Sequence, residues 1–252
     1  MTVSEAEAST EAEPTVITVE RVGDRHTALD LRPGAFLAPR PLLPTAGGLR
    51  IALVATSAGL LAGDRLRLHI TVGPGARLEM VEPAGLVAYH HRGGASSWHA
   101  RVDIGPGGEL RWRGSPFVVA DGARVDRRMD VRLAAGARML WRDTLVLGRS
   151  GERGGSVCAA TRVAYGGREL FAEDLDLTDP DERELPGILG HARVLASVAS
   201  FGRTPPERPG HPYRTDLAGP GALVRLLGGA APGLDAQLDP LWQAWHGPPP
   251  GH

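Results

Sequence analysis

Leu66, Leu68 and Ile70 alternate with Arg65, Arg67 and His69, so a strand over Asp64 to Val72 has one apolar and one charged face. The same period of two begins near Thr15, where Val16, Thr18 and Glu20 alternate with Ile17, Val19 and Arg21. Three stretches then change strand on one punctuation: His69-Ile-Thr-Val-Gly-Pro-Gly-Ala-Arg-Leu-Glu-Met80, Val102-Asp-Ile-Gly-Pro-Gly-Gly-Glu-Leu-Arg-Trp112 and Val131-Arg-Leu-Ala-Ala-Gly-Ala-Arg-Met-Leu-Trp141. Aligned on Gly75, Gly107 and Gly136, the turns recur after 32 and 29 residues (107−75, 136−107). That is the repeat length of stacked supersecondary units. Gly-Pro-Gly keeps such turns tight because Pro fixes φ near about −65° while Gly accepts φ > 0.

The pattern predicts a mainly β fold of stacked strand coils, a β-helix-like solenoid, with one or two C-terminal α-helices. Its paired strands are Asp64 to Val72 with Arg77 to Glu82, Trp98 to Ile104 with Glu109 to Arg113, and Arg124 to Leu133 with Arg138 to Asp143. Ser156 to Tyr165 and Glu169 to Leu177 flank Gly166-Gly167 at hairpin spacing. Pro33, Pro39, Pro41 and Pro44 confine their segments to edges and turns. Residues 1–14 read as a disordered acidic leader, 15–202 as the β-stacked domain, 203–215 as a Pro-rich connector and 248–252 as a tail. Over 216–247, Leu223, Leu226, Leu227 and then Leu234, Leu238, Leu241, Trp245 have helical spacing, which predicts helices packed on the same domain.

A 252-residue chain that is 42% hydrophobic buries a sizeable core. Its formal net charge of −1 sets up no global field to draw nucleic acid or an anionic membrane. Cys158 is the only cysteine, so one chain assembles neither a disulfide nor a thiolate zinc cage, and it reads as a small buried residue of its strand. Every side-chain cation other than histidine is arginine, because the chain has no lysine. The acidic start lacks the basic and apolar regions of a secretory signal, and no run supplies about 18 apolar residues for a span. The expectation is a soluble cytoplasmic protein.

Enzyme signatures are missing. There is no Gly-x-Ser-x-Gly elbow, and a lysine-free chain has no Gly-x-x-x-x-Gly-Lys phosphate loop. Gly148 to Gly155 is glycine-rich without that spacing and reads as a mobile loop. His90 and His91, with His99 nearby, are candidate metal ligands, although neighbours on a strand point to opposite faces. Asp64, Glu79, Glu82, Asp121, Asp143, Glu173, Asp174 and Asp176 fall at strand ends and turns. Carboxylates lining a wet passage would hand on a divalent cation by weak oxygen ligation; scattered on the surface they are solvated acids.

Four blocks in order carry a resemblance. Ala58-Gly-Leu-Leu-Ala-Gly-Asp64, Val72-Gly-Pro-Gly-Ala-Arg77, Trp141-Arg-Asp143 with Val146-Leu-Gly-Arg-Ser-Gly-Glu152, and Glu173-Asp-Leu-Asp-Leu177 resemble the urease accessory protein family UreD, also called UreH. The resemblance implies a non-catalytic maturation scaffold that binds the urease apoprotein and the accessory proteins UreF and UreG. It implies transient Ni²⁺ rather than a tightly bound cofactor, conducted through an internal, water-filled tunnel. It also implies that Asp64, Asp143 and Glu173 line the conduit, with Glu79 and Glu82 next and Asp174 beside them. Val81 to Ala84 and Ser115 to Val119 depart from the family pattern. Two other readings stand beside this one: a β-helix enzyme acting on a carbohydrate, and a structural β-solenoid interaction protein.

Overall fold

A computed structural model describes residues 13–45, 48–207 and 210–247. Nearly all of the expected leader, and the tail at 248–252, lie outside the described residues. The strands in chain order are β1 (Thr15–Val22), β2 (Arg25–Arg32), β3 (Leu37–Thr45), β4 (Gly48–Ala55), β5 (Arg65–Val72), β6 (Arg77–Val81), β7 (Leu86–Ala88), β8 (Ser96–Ile104) and β9 (Glu109–Arg113). They continue as β10 (Phe117–Val119), β11 (Arg124–Leu133), β12 (Arg138–Leu147), β13 (Ser156–Tyr165), β14 (Arg168–Leu177), β15 (Val194–Phe201), β16 (Arg214–Asp216) and β17 (Gly221–Gly228). A short helix, α1 (Pro180–Arg183), precedes β15, and α2 (Ala231–His246) ends the described chain.

These elements wind into a β-solenoid of about four turns. One sheet has the order β14-β13-β11-β8-β5-β1-β2, the other β16-β17-β15-β12-β9-β6-β4-β3, and β7 and β10 add a shorter ladder against the end of β12. Along the first sheet His69 lies opposite Arg101, Arg101 opposite Asp130 and Asp130 opposite Arg162, offsets of 32, 29 and 32 residues. The turn spacing seen in the sequence is therefore the register of the parallel ladder. Gly75, Gly107 and Gly136 sit at the corners with φ of 64°, 66° and 75°, where a β-carbon is strained. Corner amides join successive coils: Gly75 N donates to Pro106 O at 2.9 Å and Arg138 N to Gly108 O at 3.0 Å.

Antiparallel strands close both ends. Pro39, Pro41 and Pro44 all lie in β3, the edge strand of its sheet, where a missing N–H costs no ladder bond. At the other end, β13 and β14 pair across Gly166 and Gly167, whose φ values of 58° and 80° suit a two-residue hairpin.

Gly221–Gly228 is a strand, not a helix, leaving α2 as the one C-terminal helix among the described residues. Leu223 packs against the coil interior while Ala222, Val224 and Leu226 meet α2, so β17 is apolar on both faces and its period is ambiguous. Leu234, Leu238, Leu241, Trp242 and Trp245 make up the buried face of α2. The buried Arg142 completes the joint, bonding Asp235 at 2.7 Å and also Asp239. Cys158 is exposed, because Val157 takes the inward position of β13 and the next residue must face out.

Glycine substitutions separate strain from collision. At Gly107 a β-carbon meets nothing within 4 Å, so Gly107→Ala is expected to cost about 1–2 kcal/mol of backbone strain. At Gly202 (φ +77°) it would lie 2.0 Å from Ala137 O, so Gly202→Ala is expected to cost on the order of 3 kcal/mol or more. Urea midpoints check this, and equal midpoints would contradict the close approach at Gly202.

Candidate functional site

Strand parity puts two charged residues where the pattern otherwise buries apolar ones. In β11, Val125, Met129, Val131 and Leu133 point inward, and so does Arg127 between them. In β12, Met139, Trp141, Leu145 and Leu147 point inward, and Asp143 shares their parity. The guanidinium and carboxylate meet in a bidentate pair at 2.7 and 2.7 Å, with side-chain exposures of 11% and 17%. Such a planar fork is a strong charge-assisted contact. Arg127 also stacks on Trp98, 4.7 Å from the ring centroid, and on Phe117 at 5.6 Å. Its Nε is buried without a hydrogen-bond partner.

Glu82 follows β6 and faces the same interior. Trp112 Nε1 donates to its Oε1 at 2.8 Å, Ser115 N donates to its Oε2 at 3.0 Å, and Ser115 Oγ donates to the Glu82 carbonyl at 2.7 Å. Burial pushes the Glu82 carboxyl up to about 7; the donors from Ser115 and Trp112 pull the other way and the Asp143 charge adds to the rise. Burial also works against the charge on Arg127, but Asp143 and Glu82 outweigh it and raise that pKa above its ordinary value.

Two cavities run between the sheets along the stacking direction. The first, about 30 Å³, is lined by Glu82, Trp98, Trp112, Ser115 and Phe117 among others, and reaches the exposed Ala55 and Ala84. The second, about 40 Å³, is lined by Thr161, Phe171, Glu173, Ser197 and Arg225 among others. Arg127, Trp141 and Asp143 line both, so the ion pair is the partition between them. About 10–15 Å³ holds one water, so each cavity has room for roughly two or three waters. In the second cavity Glu173 of β14 and Arg225 of β17 form another bidentate pair, one arm at 2.8 Å. Asp143, Ser197 and Arg225 lie in one row across β12, β15 and β17, and Thr161 lies opposite Glu173.

The family model described as "UreD urease accessory protein" matches residues 18–250. The chain belongs to the UreD family. It is 68% identical over 234 residues to Urease accessory protein UreD 1 of Streptomyces griseus, covering 92% of this chain and 91% of that one. It is 37% identical to Urease accessory protein UreD of Frankia alni (90% and 83% covered) and 34% identical to that of Rhodopseudomonas palustris strain HaA2 (81% and 69%). This chain is thus a urease accessory protein. No described helix is long and apolar enough to cross a membrane.

Of the acids expected along a UreD conduit, the structure gathers Glu82, Asp143 and Glu173 at the cavities and leaves the others outside. Asp64 sits in a turn, its carboxylate accepting from Leu61 N at 2.7 Å. Glu79 lies between the inward Leu78 and Met80 and so faces out, bound to Thr45 Oγ1 at 3.1 Å and Arg50 Nε at 3.2 Å. Asp174, next to the inward Glu173, is exposed and paired with Arg162 at 2.6 Å. His90 and His91 diverge: the exposed His90 takes Arg92 N at 3.0 Å, and the buried His91 takes Arg124 N at 2.8 Å. Among the described residues no three His, Cys, Asp or Glu side chains form a metal-holding group. The loop at Gly148 to Gly155, expected to be mobile, is tied down: the buried Arg183 donates to the carbonyls of Arg153, Gly154 and Gly155, and Asp121 accepts from Gly154 N at 2.6 Å. Sequence reasoning missed Arg127 and Arg225. The signal for Arg127 was a charge at apolar parity in Val125-Asp-Arg-Arg-Met129.

The Glu82 carboxyl carries a pH signature. Between about pH 4.5 and 7 it is protonated in the fold and ionised in the open chain, so the fold loses stability as pH rises through that window. The full loss, on the order of 3 kcal/mol, is present above about pH 7. Glu82→Gln is expected to remove this slope, seen as a urea midpoint difference between parent and variant that changes from about pH 5 to about pH 7.5. A constant difference would mean Glu82 titrates normally.

Proposed function

We propose that this urease accessory protein is an assembly scaffold and metallochaperone, not a catalyst. It binds the urease apoprotein together with the accessory partners UreF and UreG in the cytoplasm, and it conducts Ni²⁺ through its interior toward the urease active site. The observation that carries this reading is the string of carboxylates, Glu82, Asp143 and Glu173, along two cavities of mixed polar and apolar lining inside an otherwise apolar coil. An apolar solenoid has no structural need for buried acids, which are costly to keep away from water.

Oxygen ligands suit transit. Ni²⁺ binds soft or imidazole ligands more tenaciously than single carboxylates, and neither a thiol nor a histidine is among the residues lining these cavities. An ion handed from Glu82 past Asp143 to Glu173 meets one carboxylate at a time and is released at each step.

Co-expression with the urease subunits and accessory partners tests the route. Asp143→Asn combined with Glu173→Gln is expected to lower nickel content and activity of the purified urease about tenfold or more, while pull-down of the assembly stays intact. The surface pair Asp64→Asn and Asp174→Asn is expected to activate like the parent. Full activation by the interior variant, or by cells lacking this chain, would overturn the reading.

A further inference from the structure

We propose that Arg127 and Arg225 are resident counter-cations of the interior, holding Asp143 and Glu173 until an ion of higher carboxylate affinity displaces them, and thereby setting which cations enter. The inference rests on the nickel-transit reading above and adds the means by which the passage discriminates.

Charge matching is the first ground. Asp143 has Arg127 and Glu173 has Arg225, each through both guanidinium nitrogens of a fork. A buried carboxylate without a partner either takes a proton or collects whatever cation is available. With its guanidinium in place the carboxylate already has its countercharge. A cation that enters must offer the carboxylate more than the fork does. Hard, strongly hydrated ions such as Mg²⁺ dehydrate reluctantly and gain little from one monodentate oxygen. Among first-row divalent ions, affinity for a given site rises from Mn²⁺ toward Ni²⁺. Exchange against an internal guanidinium therefore favours Ni²⁺ over the abundant ions without a high-affinity cage.

Position is the second ground. The Arg127–Asp143 pair is the wall shared by both cavities, so an ion moving from one to the other has to pass it. Arg127 has somewhere to wait: its guanidinium lies over Trp98 and near Phe117, and the rings of Trp98, Trp112 and Trp141 follow one another at centroid spacings of 6.2 and 6.5 Å. A weakly hydrated, planar cation keeps favourable contact with such faces after it releases a carboxylate. Its Nε makes no hydrogen bond, so release breaks only the two bonds to Asp143.

The test uses the tag-free full chain, titrated with NiCl₂ and MgCl₂ by calorimetry or equilibrium dialysis. Arg127→Gln is expected to bind Ni²⁺ about tenfold or more tightly than the parent and to let Mg²⁺ compete for the gained site. Adding Asp143→Asn to that variant is expected to abolish the gain, which places it at the partition. Arg225→Gln is the parallel experiment in the second cavity, its gain cancelled by Glu173→Gln, and it stands if the Arg127 variant fails to fold. Ni²⁺ affinity unchanged in both arginine variants, or a gain that persists without the paired carboxylate, would overturn the inference. Because this is read on the isolated chain, it is separate from urease activation by the Asp143→Asn, Glu173→Gln variant, whose full activity would sink the transit reading instead.

Discussion

Parallel pairing in a fixed register is the constraint from which the rest of this molecule follows. Each coil bonds its backbone to the coil before and after it, so residues of the same parity lie above one another through the whole stack. Leu68, Ala100 and Met129 form one such inward row, and Leu66, Trp98 and Arg127 another. A polar residue at inward parity therefore joins a file along the axis. Without the corner glycines at 29- and 32-residue offsets, the files would break and the polar positions would not meet.

That geometry fixes what buried charge means here. The ion pair of Arg127 and Asp143 gives up water on both sides and recovers it through a bidentate contact, stacking and the neighbouring cavities. Replacing both by aliphatic residues would suit a coil whose only task was to be stable. Glu82 tells the same story differently, keeping its proton near neutrality because burial penalises its charged form more than the donors from Trp112 and Ser115 favour it. The interior is thus charge-matched in its deep part and protonatable nearer the mouth marked by Ala55 and Ala84.

Much of the fold was legible in the sequence, because alternation and turn chemistry are local. The corner glycines, the edge prolines of β3 and the Gly166-Gly167 hairpin each announce themselves within a few residues. The misreadings arose where periodicity loses its contrast: β17 is apolar on both faces, and Cys158 shows its parity only once Val157 is known to face in. The site was half legible. Asp143 and Glu173 came from the resemblance, which also put Asp64, Glu79 and Asp174 in the same place. Parity separates them, since Glu79 and Asp174 each neighbour an inward residue and must face out. The partner arginines were hidden because pairing across the interior joins Arg127 to Asp143 and Glu173 to Arg225, contacts that no spacing along one strand encodes.

Arg142 and Asp143 are consecutive on β12 and point in opposite directions. Outside, Arg142 is fastened to the helix α2 through Asp235 and Asp239; inside, Asp143 grips Arg127. One peptide unit is thereby clamped from two sides. A hinged flap works only when its frame does not bend, and this double clamp stiffens the frame at the rung where the two chambers touch, so the exchange proposed for Arg127 would fall to its side chain rather than to the backbone.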